Sequence, residues 1–161
     1  MPKQQPIEIF MPPNMLKAKV GGSVGGLDMA AIKRAEKAIE TLKVEFNDWI
    51  NSDVDRLVEC RDRFAVAKDD DSQGDLYRAG HDLKGQALTF GFPMAARVAS
   101  SLCKLLDGNA RAPLPLIDAH VDAVRVIVRK NVKDENDRVA NILAAELEGR
   151  VAESLKAAGA A

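Results

Sequence analysis

Aromatic side chains are scarce in this chain: one Trp, one Tyr and five Phe, 4% of 161 residues. Apolar residues still reach 47%, so Ala, Val and Leu must fill the interior. Such small and aliphatic side chains suit helices packed on helices. Only two cysteines occur, Cys60 and Cys103, far apart and in no C-x-x-C pair. Neither a zinc site nor a redox couple is suggested, and buried cytosolic thiols are the simpler reading. An excess of charge is missing too. The net charge of -1 provides no basic field for nucleic acid and no cationic helix for a membrane surface.

No apolar run approaches the roughly 20 residues that span a bilayer. Near the N-terminus Glu8, Pro12, Pro13 and Asn14 interrupt any signal core. These absences predict a soluble cytoplasmic protein. The run Gly21-Gly22-Ser23-Val24-Gly25-Gly26 lacks the Lys-Ser or Lys-Thr of a phosphate-binding loop. Asp69-Asp70-Asp71 lacks the alternating ligands and closing Glu of a calcium loop. No G-x-S-x-G, H-E-x-x-H or Cys–His constellation points to a hydrolase. The chain therefore presents no metal or cofactor site of its own.

What remains is organised in three parts. Residues 1–27, with Pro2, Pro6, Pro12, Pro13 and the glycine run, form an extended or flexible segment, within which Ile7 to Met11 has strand character. Residues 28–156 carry helical patterning, and 157–161 form a fraying tail. Asp28 is placed to cap the first helix. Its apolar stripe is Ile32, Ala35, Ile39, Leu42, Phe46 and Trp49, continuing through Val54, Leu57, Arg61, Phe64 and Ala65 after a register shift near residues 51–53. One bent helix or two successive helices fit that pattern. Ser72 and Asp75 resemble a capping box before a helix over about 73–90. Gly91 reads as its stop, and Pro93 opens a helix over about 93–107.

Gly108-Asn109 reads as a turn, and Pro113 and Pro115 open a further helix with Ile117, Val121, Val124 and Val128 inward. The charged stretch Lys130 to Arg138 either interrupts that helix or is its solvated face. A final amphipathic stretch carries Val139, Ile142, Leu143, Leu147 and Val151. Helices joined by short turns predict an all-α, up-and-down four-helix bundle with an extra N-terminal segment and a long C-terminal helix.

The helix over about 73–90 holds His81-Asp82-Leu83-Lys84-Gly85. At about 100 degrees per residue, Leu76, Gly80, Leu83, Ala87 and Phe90 gather on one stripe and His81 points about 140 degrees away. Tyr77, Lys84, Gly85 and Leu88 share its outer side. An imidazole nitrogen is a nucleophile near neutral pH and can carry a phosphoryl group. Lys84, three residues on, can offset the added negative charge. Gly85 is costly in a helix interior, about 1 kcal/mol relative to Ala, unless something must come close there. Tyr77, Arg78 and Leu88 form a modest docking patch. The second histidine, His120, has Ala123 and Val124 at the corresponding offsets and lies beside an apolar stripe; it reads as structural.

The pattern H-x-x-K-G, with a second glycine ten positions after the histidine, resembles the histidine phosphotransfer (HPt) domain of two-component phosphorelays. The resemblance covers about residues 30–130. It implies a four-helix bundle with an exposed phosphoacceptor, His81, exchanging a phosphoryl group with aspartates of receiver domains. It further implies charge stabilisation by Lys84, steric access at Gly85, and a Mg ion held by the receiver. Response-regulator receivers and a hybrid sensor kinase become the implied partners. Gln86 and Leu88 replace the small residues frequent there in the family. The rival reading is an adaptor or dimerisation module whose histidine is never phosphorylated. The long terminal stretches leave open a homodimer or an extended bundle.

Overall fold

The computed structural model describes residues 29–107 and 112–159. Their regular structure is entirely α-helical: α1 (Met29–Ala67), α2 (Asp70–Thr89), α3 (Pro93–Asp107), α4 (Leu114–Arg129) and α5 (Arg138–Gly159). The N-terminal segment, the Asp28 cap and the Gly108-Asn109 turn lie outside the described residues. The chain divides into two compact units, 1–40 and 41–161. In the first, residues 29–40 are helical and exposed apart from half-buried Ile32. The packing that follows is that of the second.

Helix α3 is the centre of this unit, packing against α2, α4 and α5. Ten of its fifteen residues are buried, and Ala95, Ala96 and Ala99 let three neighbours approach closely. The α1 residues Ile50, Val54, Leu57, Cys60 and Phe64 are buried against the same core. Ion pairs hold α1 to its neighbours: Arg56 to Asp82 at 3.0 Å and Arg63 to Asp75 at 3.4 Å on α2, and Arg61 to Asp118 at 3.3 Å on α4. Four helices thus enclose one core, and α5 lies against α3 and α4. Both cysteines are free and buried.

Residues 51–53 do not break α1. Asn51 Nδ2 donates to the Asn47 carbonyl at 2.7 Å and Ser52 Oγ to the Asp48 carbonyl at 3.0 Å, which keeps these polar groups within the helix. The stripe before them stays at the surface: Ile39 is 53%, Leu42 45% and Trp49 51% exposed.

The capping box lies three residues earlier than Ser72–Asp75. Asp69 is the N-cap, accepting from the Ser72 amide at 2.8 Å, and the Ser72 hydroxyl answers the Asp69 backbone. Helix α2 accordingly begins at Asp70 rather than near 73, and the hydrogen bonds from Ser72 lower the Asp69 carboxyl pKa. It ends as the sequence suggests. Gly91 takes φ +79, the left-handed conformation that glycine tolerates, and the Phe92 amide donates back to the Ala87 carbonyl at 2.7 Å.

Asn131 (φ 53) terminates α4 in the same manner, with Val132 N donating to Ile127 O at 3.0 Å. The charged stretch is therefore an interruption. Asp137 then caps α5 by accepting from the Ala140 amide at 2.8 Å. Of the expected stripe Leu147 and Val151 are buried and Leu143 is half-buried, but Val139 and Ile142 are exposed, and Ala140 and Ala144 complete the buried face. Arg97 of α3 fixes that rotation. Its guanidinium donates to both Glu148 oxygens, at 2.8 and 2.7 Å, and to Asn141 Oδ1 at 2.9 Å. Helix α5 continues past residue 156 to Gly159.

Candidate functional site

Two faces of α2 do different work. The inner face buries Leu76, Ala79, Gly80, Leu83 and Ala87. Gly80 lies so close to α3 that a Cβ there would stand 3.4 Å from Cys103 Sγ and 3.7 Å from a Leu102 methyl. Its glycine serves packing. A Cβ on Gly85 would meet nothing within 4 Å, so nothing among the described residues requires that position to be bare.

His81, Lys84, Gly85 and Leu88 are exposed together on the outer face, as the helical wheel places them. Tyr77, half-buried against the core, stacks its ring on the imidazole at 6.2 Å between centroids and 26° between planes. The spacing i, i+4 brings the rings together. Among the described residues the His81 ring makes no hydrogen bond, and Lys84 makes no ion pair. An imidazole with uncommitted nitrogens therefore lies beside an uncommitted ammonium. The Lys84 charge also reaches Cys103 on α3, where it opposes the burial that pushes the thiol up to about 11. Burial thus disfavours the reactive thiolate form there.

Arg78 is exposed too, but Asp75 holds it in an ion pair. Beside it, a shallow groove between the start of α2 and the end of α3 is lined by Gln73, Gly74, Tyr77, Arg78, Leu106 and Asp107. Gln73 Nε2 donates to the Leu106 carbonyl at 2.8 Å, satisfying the end of α3. Sequence periodicity could not have found this groove, which depends on where α3 ends. On the α1 side Asp82 is paired with Arg56, and Asp53 stands close by. Burial raises the Asp53 carboxyl pKa, Arg56 opposes the shift and Asp82 adds to it; Asp53 Oδ2 has no hydrogen-bond partner. The Arg56–Asp82 pairing ties the α1-facing edge of α2 to α1 one residue after His81.

The other histidine is closed off. His120 is fully buried, its Nδ1–H donating to the Leu116 carbonyl at 2.7 Å while Nε2 lies 3.0 Å from Ser101 Oγ. Burial lowers its pKa and the Leu116 bond only partly opposes this, so the ring is held neutral.

A profile of the Hpt domain matches residues 48–149, well over half of the chain. The chain belongs to the Hpt domain family. Compared with the span 30–130 expected from the motif, the match omits the exposed start of α1 and takes in α5 through Gly149. An Hpt domain has a histidine phosphotransfer role in phosphorelay signalling and interacts with receiver domains. No curated protein and no solved structure matches the chain. Among the described residues no helix is long and apolar enough to cross a membrane.

Proposed function

We propose that this Hpt domain is a phosphorelay intermediate with His81 as the phosphoacceptor. The lone pair of Nε2 attacks the phosphorus of a receiver's aspartyl phosphate; the N–P bond forms, the aspartyl O–P bond breaks, and the carboxylate leaves. A second receiver's aspartate reverses these bond changes and takes the group. Lys84 balances the phosphoryl oxygens, and the bare Gly85 surface admits the receiver. Tyr77 and Leu88 form the apolar part of the docking patch, with the Arg78–Asp75 pair at its edge. The receiver brings the Mg ion and the aspartate, so this chain carries the group without making it. Receivers and a hybrid sensor kinase as partners would place the protein in the cytoplasm.

The observation that carries this reading is the open space at Gly85 beside an uncommitted imidazole. A mid-helix glycine with no clash to avoid among the described residues finds its reason in an incoming molecule. Incubation with a phosphorylated receiver tests it. Wild-type protein should take up acid-labile phosphate and His81→Ala should show none. Equal labelling of the two would overturn the assignment, while receiver binding without any transfer would favour the adaptor reading.

A further inference from the structure

We propose that Tyr77 is a positioning residue for phosphoryl transfer, holding the His81 imidazole by its face so that both ring nitrogens stay free. The inference rests on His81 being the phosphoacceptor and goes beyond the docking role of Tyr77. The two rings stack at 6.2 Å between centroids and 26° between planes. Hydrogen bonds can also fix an imidazole, as Leu116 and Ser101 fix His120, but each one occupies a nitrogen. A stacked ring touches only the π-face. Transfer uses both edges of the imidazole. The Nε2 lone pair forms the N–P bond as the aspartyl O–P bond breaks, and Nδ1 carries the proton that the product releases to water. Contact through the face restrains the ring and commits neither nitrogen.

Tyr77 is itself held in place. Its side chain packs half-buried against the core, and α2 is tied to α3 on both sides of it. One turn earlier, Gln73 Nε2 donates to the Leu106 carbonyl at 2.8 Å. One turn later, Gly80 lets Cys103 Sγ approach to 3.4 Å from where a Cβ would stand. The Cys103 thiol also donates to the Tyr77 carbonyl at 4.0 Å. Neighbours of His81 on α2 are engaged elsewhere: Arg78 pairs with Asp75 and Asp82 with Arg56. The imidazole thus has an aromatic contact and no hydrogen bond among the described residues.

The size of the effect follows from rotamers. On a helix two χ1 wells are open to His and χ2 is broadly two-fold, which gives about four ring orientations. Only an orientation that aims Nε2 at the incoming phosphorus reacts. Freeing the ring should therefore lower the maximal transfer rate about fourfold, far less than losing the nucleophile.

Transfer from a phosphorylated receiver to the full chain, followed at increasing receiver concentration, separates positioning from docking. Tyr77→Leu should lower the rate at saturating receiver about fourfold, and Tyr77→Phe, which keeps the ring, should recover that loss. The ring C–H resonances of His81 give a second readout. The Tyr77 ring current should displace them in wild type, and Tyr77→Leu should return them to ordinary imidazole positions. His120, buried on another helix, should keep its resonances and so report an intact fold. A raised half-saturating concentration at an unchanged maximal rate would make Tyr77 a docking residue only and overturn the proposal. Equal maximal rates in wild type and Tyr77→Leu would overturn it too, as would a Tyr77→Phe protein as slow as Tyr77→Leu. Wild-type His81 resonances already at ordinary imidazole positions would do so whether or not the variants fold. Phosphoramidate, a small donor that needs no docked receiver, separates these failures from failure of the underlying reading. It should label wild type and not His81→Ala; a wild type labelled neither by it nor by the receiver would remove the phosphoacceptor and this inference together.

Discussion

His81 and His120 have the same side chain and opposite circumstances. His81 is exposed on α2, stacked on Tyr77, with no hydrogen bond to its ring among the described residues. His120 is buried on α4 with one nitrogen bonded to a carbonyl and the other to a hydroxyl. A nitrogen whose proton or lone pair is already committed in a closed core cannot meet a donor. The difference is one of access and commitment. Gly80 and Gly85 repeat the contrast within a single helix, one facing α3 and the other facing nothing among the described residues.

The largest effects should come from exchanging the same substitution between the two histidines. His81→Ala should abolish phosphate uptake, by at least about a hundredfold, with the melting temperature unchanged because no buried group loses a partner. His120→Ala leaves a cavity and unpaired polar atoms, and should cost about 2–4 kcal/mol. It should retain phosphate uptake below its melting temperature. Chemical denaturation and labelling of both variants decide the matter, and a His120 variant that folds normally but accepts no phosphate would break the comparison.

Leucine at the two glycines comes next. Gly80→Leu forces α2 from α3 and should destabilise by about 1–3 kcal/mol through overpacking. Gly85→Leu should leave stability unchanged, or raise it by up to about 1 kcal/mol through helix propensity, while slowing transfer at least about tenfold. Stopped-flow transfer rates beside melting curves separate the two.

The smallest effect is in pH. The unfolded His120 imidazole takes up a proton below its ordinary 6.5, whereas the buried ring resists it to lower pH. Acid therefore favours the unfolded chain: this contribution is fully present above pH 6.5 and is lost as pH falls through the folded value. Glu148, lowered from 4.5 by its hydrogen bond to Arg97, acts in the same direction at lower pH. His120→Gln should flatten the slope of stability just below pH 6.5. Urea denaturation across that range gives the slopes.

Much of the fold was legible because it rests on short-range rules. The period of α2, the Gly91 stop with Pro93 behind it, and the buried stripes of α3 and α4 need only local geometry. The misjudged places depend on choices between similar local partners. Asp69 and Ser72 compete with Ser72 and Asp75 for the same cap, and Asn131 ends a helix without the usual glycine. Helix α5 shows a longer-range failure. Its large residues Val139 and Ile142 suggested one face, but Arg97 and the small Ala140 and Ala144 set another. At the site, the outward group His81, Lys84, Gly85 and Leu88 followed from periodicity alone. The Arg56–Asp82 pair between α1 and α2 and the groove near Asp107 did not, because they arise where separate helices meet.

Which residues share a helix face was written in the order of the residues, since that depends only on the turn of the helix. The order alone put the imidazole, the ammonium and the bare glycine on one side of α2, and an apolar stripe along α1. Which faces are covered was a matter for the packed helices. Cys103 lies under Gly80 and nothing among the described residues lies over Gly85; Ser101 closes on His120, whereas the ring of His81 meets Tyr77 but no hydrogen-bond partner among the described residues. Burial depends on what a neighbouring helix brings to a face, and that is set by packing between distant segments.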